Sequence, residues 1–208
     1  MILLLLDYLG TIAFAISGAL KGVRSGMDIF GVVVLAVVTA IGGGTIRDAL
    51  LDLPIFWLSD STYVLLSVLM AVGVFILFGL AQRTERTLLV FDAVGLGVFT
   101  AIGSMKAECA GLGMVGIVTM GLLTGIGGGM IRDVLSGDVP IVLREEVYAS
   151  ASIAGGLVFA AALRLGWPDA VAVGTAIIVT IAIRILSIYL KWRLPARSGT
   201  TEDGSVSP

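Results

Sequence analysis

One stretch of this chain occurs twice. Shifted by 85 residues, Asp7–Leu50 falls on Asp92–Leu135 without a gap, and 17 of the 44 positions are identical. The matches include charges and glycines as well as aliphatic residues: Asp7/Asp92, Gly10/Gly95, Phe14/Phe99, Gly18/Gly103, Lys21/Lys106 and Thr39/Thr124. They also include Gly42-Gly43-Gly44 with Arg47-Asp48, against Gly127-Gly128-Gly129 with Arg132-Asp133. A shared oily composition pairs Leu with Leu by chance, but it does not bring charges and glycines into one register. The number of membrane spans in the repeated unit then decides the architecture.

Hydrophobic residues make up 58% of the 208, and charged residues 13%, about half the share usual in a soluble domain. Seven apolar segments follow one another: Ile2–Gly22, Ile29–Leu53, Tyr63–Ala81, Leu88–Met105, Met114–Leu135, Val147–Leu165 and Ala170–Leu190. Each is close to the roughly 20 residues that cross a bilayer as helix. The first, "MILLLLDYLG", lacks a positive leader and a small-residue cleavage site, so it reads as a retained span. The repeat unit therefore holds three spans. Three is odd, so the second copy enters the membrane from the opposite face, as in the inverted repeats of transporters and channels.

The expected fold is an all-α membrane protein of seven transmembrane helices: two inverted three-helix repeats plus a seventh helix. A single transmembrane domain covers 1–190, with repeat one at about 2–81, repeat two at about 88–165 and the seventh helix at about 168–190. Residues 191–208 read as a disordered cytoplasmic tail, because Pro195–Pro208 is small and polar.

Basic residues set the expected orientation. Lys21, Arg24, Arg83, Arg86, Arg144, Lys191, Arg193 and Arg197 fall on one side, and Lys106 and Arg164 on the other. The richer side is cytoplasmic by the positive-inside bias, which puts the amino terminus outside and the carboxyl terminus inside. Trp57 and Trp167 then belong to the outer interface and Trp192 to the inner one.

Several chemistries are excluded. The chain has no His, and its one Cys is Cys109. It therefore offers no disulfide, no His/Cys zinc site and no Ser/His/Asp set. The glycine triplets are not followed by Lys-Ser/Thr, so they are not phosphate loops. A net charge of -2 without a basic patch gives no nucleic-acid surface. Glu145-Glu146 reads as a solvated charge pair. No enzyme, cofactor or structural metal is expected.

The triplets and the charges beside them are the candidate site. Glycine costs about 1 kcal/mol in a helix interior relative to Ala. Three in succession predict a break in spans two and five near the bilayer middle. Freed backbone groups there must face protein or water. Gly42, Gly43, Gly44, Gly127, Gly128 and Gly129 are thus expected to hinge and line a path, and close packing of helices is the competing role for them. Intramembrane charges are costly and face the bundle interior. Residues at i and i+1 do not face each other on a helix. The expected pairs are therefore Asp7–Arg47 and Asp92–Arg132, one per vestibule, with Asp48 and Asp133 as path charges or as structural clamps. Lys21 and Lys106 are vestibule charges or snorkel to the interface. Arg184 in span seven faces either the bundle or the interface.

These residues carry a resemblance. Two three-span repeats, each with Gly-Gly-Gly-x-Ile-Arg-Asp in its middle span, followed by a seventh span, are similar to the prokaryotic members of the trimeric intracellular cation (TRIC) channel family. The resemblance covers about Leu4 to Leu190. It implies a homotrimer in a prokaryotic plasma membrane. Each subunit would have its own pore lined by spans two and five, with potassium or other monovalent cations passing transiently and lipid and copies of itself as partners. Closely similar bacterial membrane proteins are linked to glycine transport. A broken helix offers carbonyls that suit a cation and N–H groups that suit a carboxylate. The residues alone leave a channel and a small-amino-acid carrier working by alternating access both open.

Overall fold

A computed structural model describes residues 2–77, 85–144 and 146–190. Arg83, Glu145, Lys191, Trp192, Arg193, Arg197 and the rest of the tail lie outside these described residues, within which no strand occurs. The helices are α1 (Ile2–Arg24), α2 (Ile29–Leu50), α3 (Phe56–Ser59), α4 (Thr62–Leu77), α5 (Glu85–Cys109), α6 (Met114–Leu135), α7 (Ile141–Arg144), α8 (Glu146–Arg164) and α9 (Asp169–Leu190). Six of them, α1, α2, α5, α6, α8 and α9, are long and apolar enough to cross a membrane. The third expected span, Tyr63–Ala81, is described as the 16-residue α4, since residues 78–84 are not described.

The repeat now shows in the element boundaries. α2 and α6 begin and end 85 residues apart, and so do the short helices α3 and α7, which hydropathy alone does not predict. Local signals explain the ends. The Asp28 side chain accepts the Gly31 N–H at 2.8 Å and caps α2, as N-cap carboxylates do. Past α6 the chain turns at Gly137 with φ +79°, while the matching turn past α2 is Asp52 with φ +53°. This is the left-handed region that glycine enters freely and Asp tolerates.

α1 and α5 lie side by side through the centre, where the buried Phe14 and Phe99 rings meet with centroids 5.2 Å apart. α4 packs on α1 and α2, and α8 packs on α5 and α6. α9 packs on α5 and α8, both from repeat two.

α2 and α6 cross at their glycine triplets, and both are continuous helix through them. This corrects the expected break. A Cβ on Gly43 would sit 2.2 Å from the Thr124 carbonyl oxygen, and one on Gly128 would sit 2.2 Å from the Thr39 carbonyl oxygen. A Cβ on Gly127 would lie 3.0 Å from the Gly43 Cα. The two backbones touch, which no larger residue permits. In lipid, apolar burial does not drive helices together, and close van der Waals approach does. That contact outweighs a helix propensity that is only a weak prior.

A methyl group at the crossing forces the helices apart. Gly43→Ala and Gly128→Ala should each lower the thermal unfolding temperature in detergent, because overpacking costs about 1–3 kcal/mol against a propensity gain of about 1 kcal/mol. Gly73→Ala and Gly174→Ala, where a Cβ meets nothing within 4 Å, should hold or raise it. Equal behaviour of all four would mean that the crossing is not what the triplets serve.

Candidate functional site

Two buried charge clusters lie on either side of the crossing, one around Arg47 and one around Arg132. At the Arg47 end, Arg47 Nε donates to the Oδ1 of Asp48 at 2.8 Å, and both residues are fully buried. Lys106, in the last turn of α5 and so from the other repeat, donates to the same Oδ1 at 3.2 Å. The second oxygen of Asp48 accepts the Phe56 backbone N–H at 3.0 Å and fixes the start of α3. The Phe56 ring covers the guanidinium, with Cζ 5.5 Å from the ring centroid. It also meets Tyr63 edge-on at 4.6 Å. The Tyr63 hydroxyl donates to Asp7 Oδ2 at 3.2 Å.

At the Arg132 end the same parts connect differently. Arg132 Nη1 donates to Asp92 Oδ1 at 2.5 Å and to the Ser17 hydroxyl at 2.6 Å. Arg132 Nε and Nη2 both reach Asp133 Oδ1, at 2.9 and 2.8 Å. Asp133 Oδ2 accepts the Ile141 N–H at 2.9 Å, as Asp48 does for α3. Lys21 pairs with Asp138 rather than with Asp133. That ammonium, by its hydrogen bond first and its charge second, holds the Asp138 carboxyl below its ordinary value. Arg184 comes from α9 into the bundle and lies 4.8 Å from the Tyr148 ring centroid.

The expected Asp92–Arg132 pair is present. The expected Asp7–Arg47 pair is not: Arg47 Nε closes on Asp48, and Asp7 accepts from the Tyr63 hydroxyl instead. Adjacent residues do meet here: arginine is long enough to fold back along the helix, so the rule that i and i+1 do not face each other fails for it. Lys21 and Lys106 make ion pairs with the opposite repeat. Gly44 abuts the Phe56 ring, and Gly129 abuts the Tyr148 hydroxyl and Asp92, while Gly42, Gly43, Gly127 and Gly128 form the crossing.

A cavity of about 440 Å³ opens at the Arg132 end, lined in part by Lys21, Arg24, Glu85, Asp133, Asp138 and Arg144. Tyr63, Tyr148, Phe56, Ser17 and Asp138 are not among the residues expected from the sequence. The 85-residue shift carried past Leu50 pairs Tyr63 with Tyr148 and Ser67 with Ser152, so the tyrosines were legible. Ser17 and Asp138 have Ile102 and Leu53 as counterparts, and no repeat signal marks them.

Removing Arg132 leaves two buried carboxylates without their cation. Arg132→Ala should destabilise the protein by about 3–5 kcal/mol, the usual cost of breaking a buried pair. Arg47→Ala should cost less, because Asp48 keeps Lys106 and the Phe56 amide. Adding Asp92→Asn to Arg132→Ala should recover part of the loss. Denaturant unfolding of the single and double variants measures all three.

The chain matches the model of a family described as Glycine transporter twice, over residues 4–79 and 89–164. The two matches lie 85 residues apart, so the family unit is the three-span repeat. The chain is 45% identical over 193 residues to the UPF0126 inner membrane protein YadS of Escherichia coli (strain K12), covering 91% of this chain and 93% of that one. It is 35% identical over 197 residues to the UPF0126 membrane protein YvgT of Bacillus subtilis (strain 168), covering 93% and 96%. Among solved structures it is similar to the TRIC trimeric intracellular cation channel orthologue from Rhodobacter sphaeroides, with a TM-score of 0.88 and 38% identity, covering 92% of this chain and 99% of that one. A trimeric intracellular cation channel from C. elegans with bound Ca2+ shares the fold at a TM-score of 0.62 and 15% identity, covering 89% and 90%. These likenesses run along nearly the whole chain, and it belongs to the Glycine transporter family of UPF0126 multi-pass bacterial membrane proteins, built on the fold of the prokaryotic TRIC channels.

Proposed function

We propose that the protein is a channel for monovalent cations, potassium foremost, with one path in each subunit of a homotrimer. The observation that carries this reading is the pair of buried carboxylate clusters, Asp7/Asp48 and Asp92/Asp133, at opposite ends of one helix crossing. The similar bacterial structure from Rhodobacter sphaeroides is a cation channel, and conductance is attributed to another TRIC structure of the same fold. Carboxylates replace part of a cation's water shell, and the neighbouring Arg47, Lys106, Arg132 and Lys21 keep the closed path near neutrality. Phe14, Phe99 and the touching glycines keep the middle dry. Opening requires α2 and α6 to part or slide, which a crossing without interlocked side chains allows. Lys21, Arg24 and Arg144 put the Arg132 end at the cytoplasm, with the amino terminus outside and the path spanning a bacterial plasma membrane. Channel structures, and no enzymes, stand among these likenesses.

A second reading is a carrier of a small amino acid. It is favoured by the family description and by two Arg47 nitrogens that have no hydrogen-bond partner among the described residues. Purified protein in planar bilayers separates the two. Discrete unitary potassium currents make it a channel, and silence with counterflow of labelled glycine makes it a carrier.

Sidedness tests the inverted repeat. Arg47→Ala should alter block by cations added outside, and Arg132→Ala block by cations added inside. The same sidedness for both would contradict the orientation of the repeats. At the cytoplasmic cavity, Asp138 is charged above its lowered titration and loses that charge as the pH falls through it, which leaves Lys21 uncompensated. Cation current from that side should fall on strong acidification, and Asp138→Asn should reproduce the fall at neutral pH in the same bilayer recording.

A further inference from the structure

Asp7 and Asp92 are related by the repeat, and so are an arginine and a tyrosine beside each of them: Arg47 and Tyr63 at one end, Arg132 and Tyr148 at the other. The two ends make opposite choices. Asp92 takes the arginine, with Arg132 Nη1 at 2.5 Å, while the buried Tyr148 hydroxyl has no hydrogen-bond partner among the described residues. Asp7 takes the tyrosine, with the Tyr63 hydroxyl at 3.2 Å, while Arg47 Nη1 and Nη2 have no such partner. The group used at one end is idle at the other.

The idle groups are close at hand. A Cβ placed on Gly129 would lie 2.8 Å from the Tyr148 hydroxyl, 3.4 Å from Asp92 Oδ1 and 3.7 Å from Arg132 Nη2. The bare glycine thus lets the carboxylate and both of its donors gather around one point. At the Arg47 end the Phe56 ring links the two donors, 5.5 Å from the guanidinium carbon and 4.6 Å from the Tyr63 ring. Two residues outside the repeat pattern bias the choice. Ser17 accepts from Arg132 and steadies it on Asp92, and its counterpart Ile102 offers no acceptor. Phe56 occupies the face of Arg47, where Ile141 is the counterpart.

The ends are also joined mechanically. Arg47 is carried by α2 and Arg132 by α6, and the two continuous helices touch backbone to backbone between the clusters. When the halves of an inverted repeat differ in conformation, exchanging those conformations gives a second state, reached by rocking one half against the other. We propose that the two aspartates form one switch with two settings. In the setting of this structure Asp92 is on Arg132 and Asp7 on Tyr63. In the other, Asp92 is on Tyr148 and Asp7 on Arg47. Arginine neutralises a carboxylate, and tyrosine leaves its charge in place. The exchange therefore moves an uncompensated carboxylate from the Arg47 end to the Arg132 end. Exposure agrees with this: Asp7 is 9% exposed and Asp92 0%. The switch decides which end carries the bare charge, and it holds for a channel and for a carrier alike.

The tyrosine hydroxyls report the setting. The chain has four tyrosines, so protein with tyrosine isotopically labelled at Cζ gives a short, assignable solid-state NMR spectrum in lipid bilayers. In the wild type Tyr63 should be hydrogen-bonded to a carboxylate and Tyr148 should not. Tyr63→Phe removes the partner of Asp7, and Tyr148 at the opposite end should then become bonded. Ser17→Ala withdraws a hydrogen bond to a charged group from the first setting alone. It should move the ratio of settings at least tenfold toward the second, so that Tyr148 gains its bond and Tyr63 loses its own. Three results overturn the switch: both tyrosines bonded in the wild type; Tyr148 unbonded in the variants; or Tyr148 bonded in Ser17→Ala with Tyr63 unmoved, which makes the two ends independent. The variants act from opposite ends, so either decides where the other fails to fold. No transport is measured, so the result does not depend on which solute passes.

Discussion

The crossing of α2 and α6, where a glycine of one repeat touches the main chain of the other, organises everything else. Gly43 lies against the carbonyl of Thr124, and Gly128 against that of Thr39. Two helices can cross this tightly only if neither carries a side chain there. Once they do, Arg47-Asp48 and Arg132-Asp133 are carried past the crossing in opposite directions, each about one turn beyond it. Each then meets the lysine at the end of the other repeat's first helix or the acid it is drawn to. Each aspartate reaches back to catch the amide that begins a short helix. The charge clusters are thus a consequence of the crossing, and each is held by elements from both repeats.

This arrangement explains why so much charge survives inside an apolar bundle. Arg47, Asp48, Asp92 and Arg132 are all fully buried, and an isolated charge there would be very costly. Within the two clusters, each carboxylate except Asp7 meets a cation, and each of the two repeated Arg-Asp pairs closes on itself. Buried pairs of this kind add little net stability over apolar packing. What they do is fix register: an arginine that must find its acid admits few alternative helix positions. The polar interior constrains which conformations the two repeats adopt relative to one another.

The all-helical membrane fold and its internal repeat were legible in the sequence because the repeat matched charges and glycines in register. The Asp92–Arg132 pair followed from the same symmetry. The unbroken helices did not, because propensity measures a glycine against water and its own helix. Here the deciding contact is with another helix some 85 residues away in sequence. The Arg47–Asp48 contact was missed for a related reason: helix-face rules describe Cβ directions, and arginine extends well past them. Ser17 and Asp138 were invisible, since the repeat is most informative where it is kept and these are places where it is broken.

α9 breaks the symmetry at a larger scale. It packs on α5 and α8 and carries Arg184 to Tyr148, and among the described residues no helix plays the same part against repeat one. A perfect inverted repeat would be indifferent to direction: any shape it adopted facing one side would have a symmetry-related shape of equal free energy facing the other. A helix fastened to one repeat alone removes that degeneracy. It adds packing, through α5 and α8, to the repeat that carries Arg132. The molecule thereby acquires a preferred shape: of two conformations that the repeat alone would make equal, one lies lower in free energy.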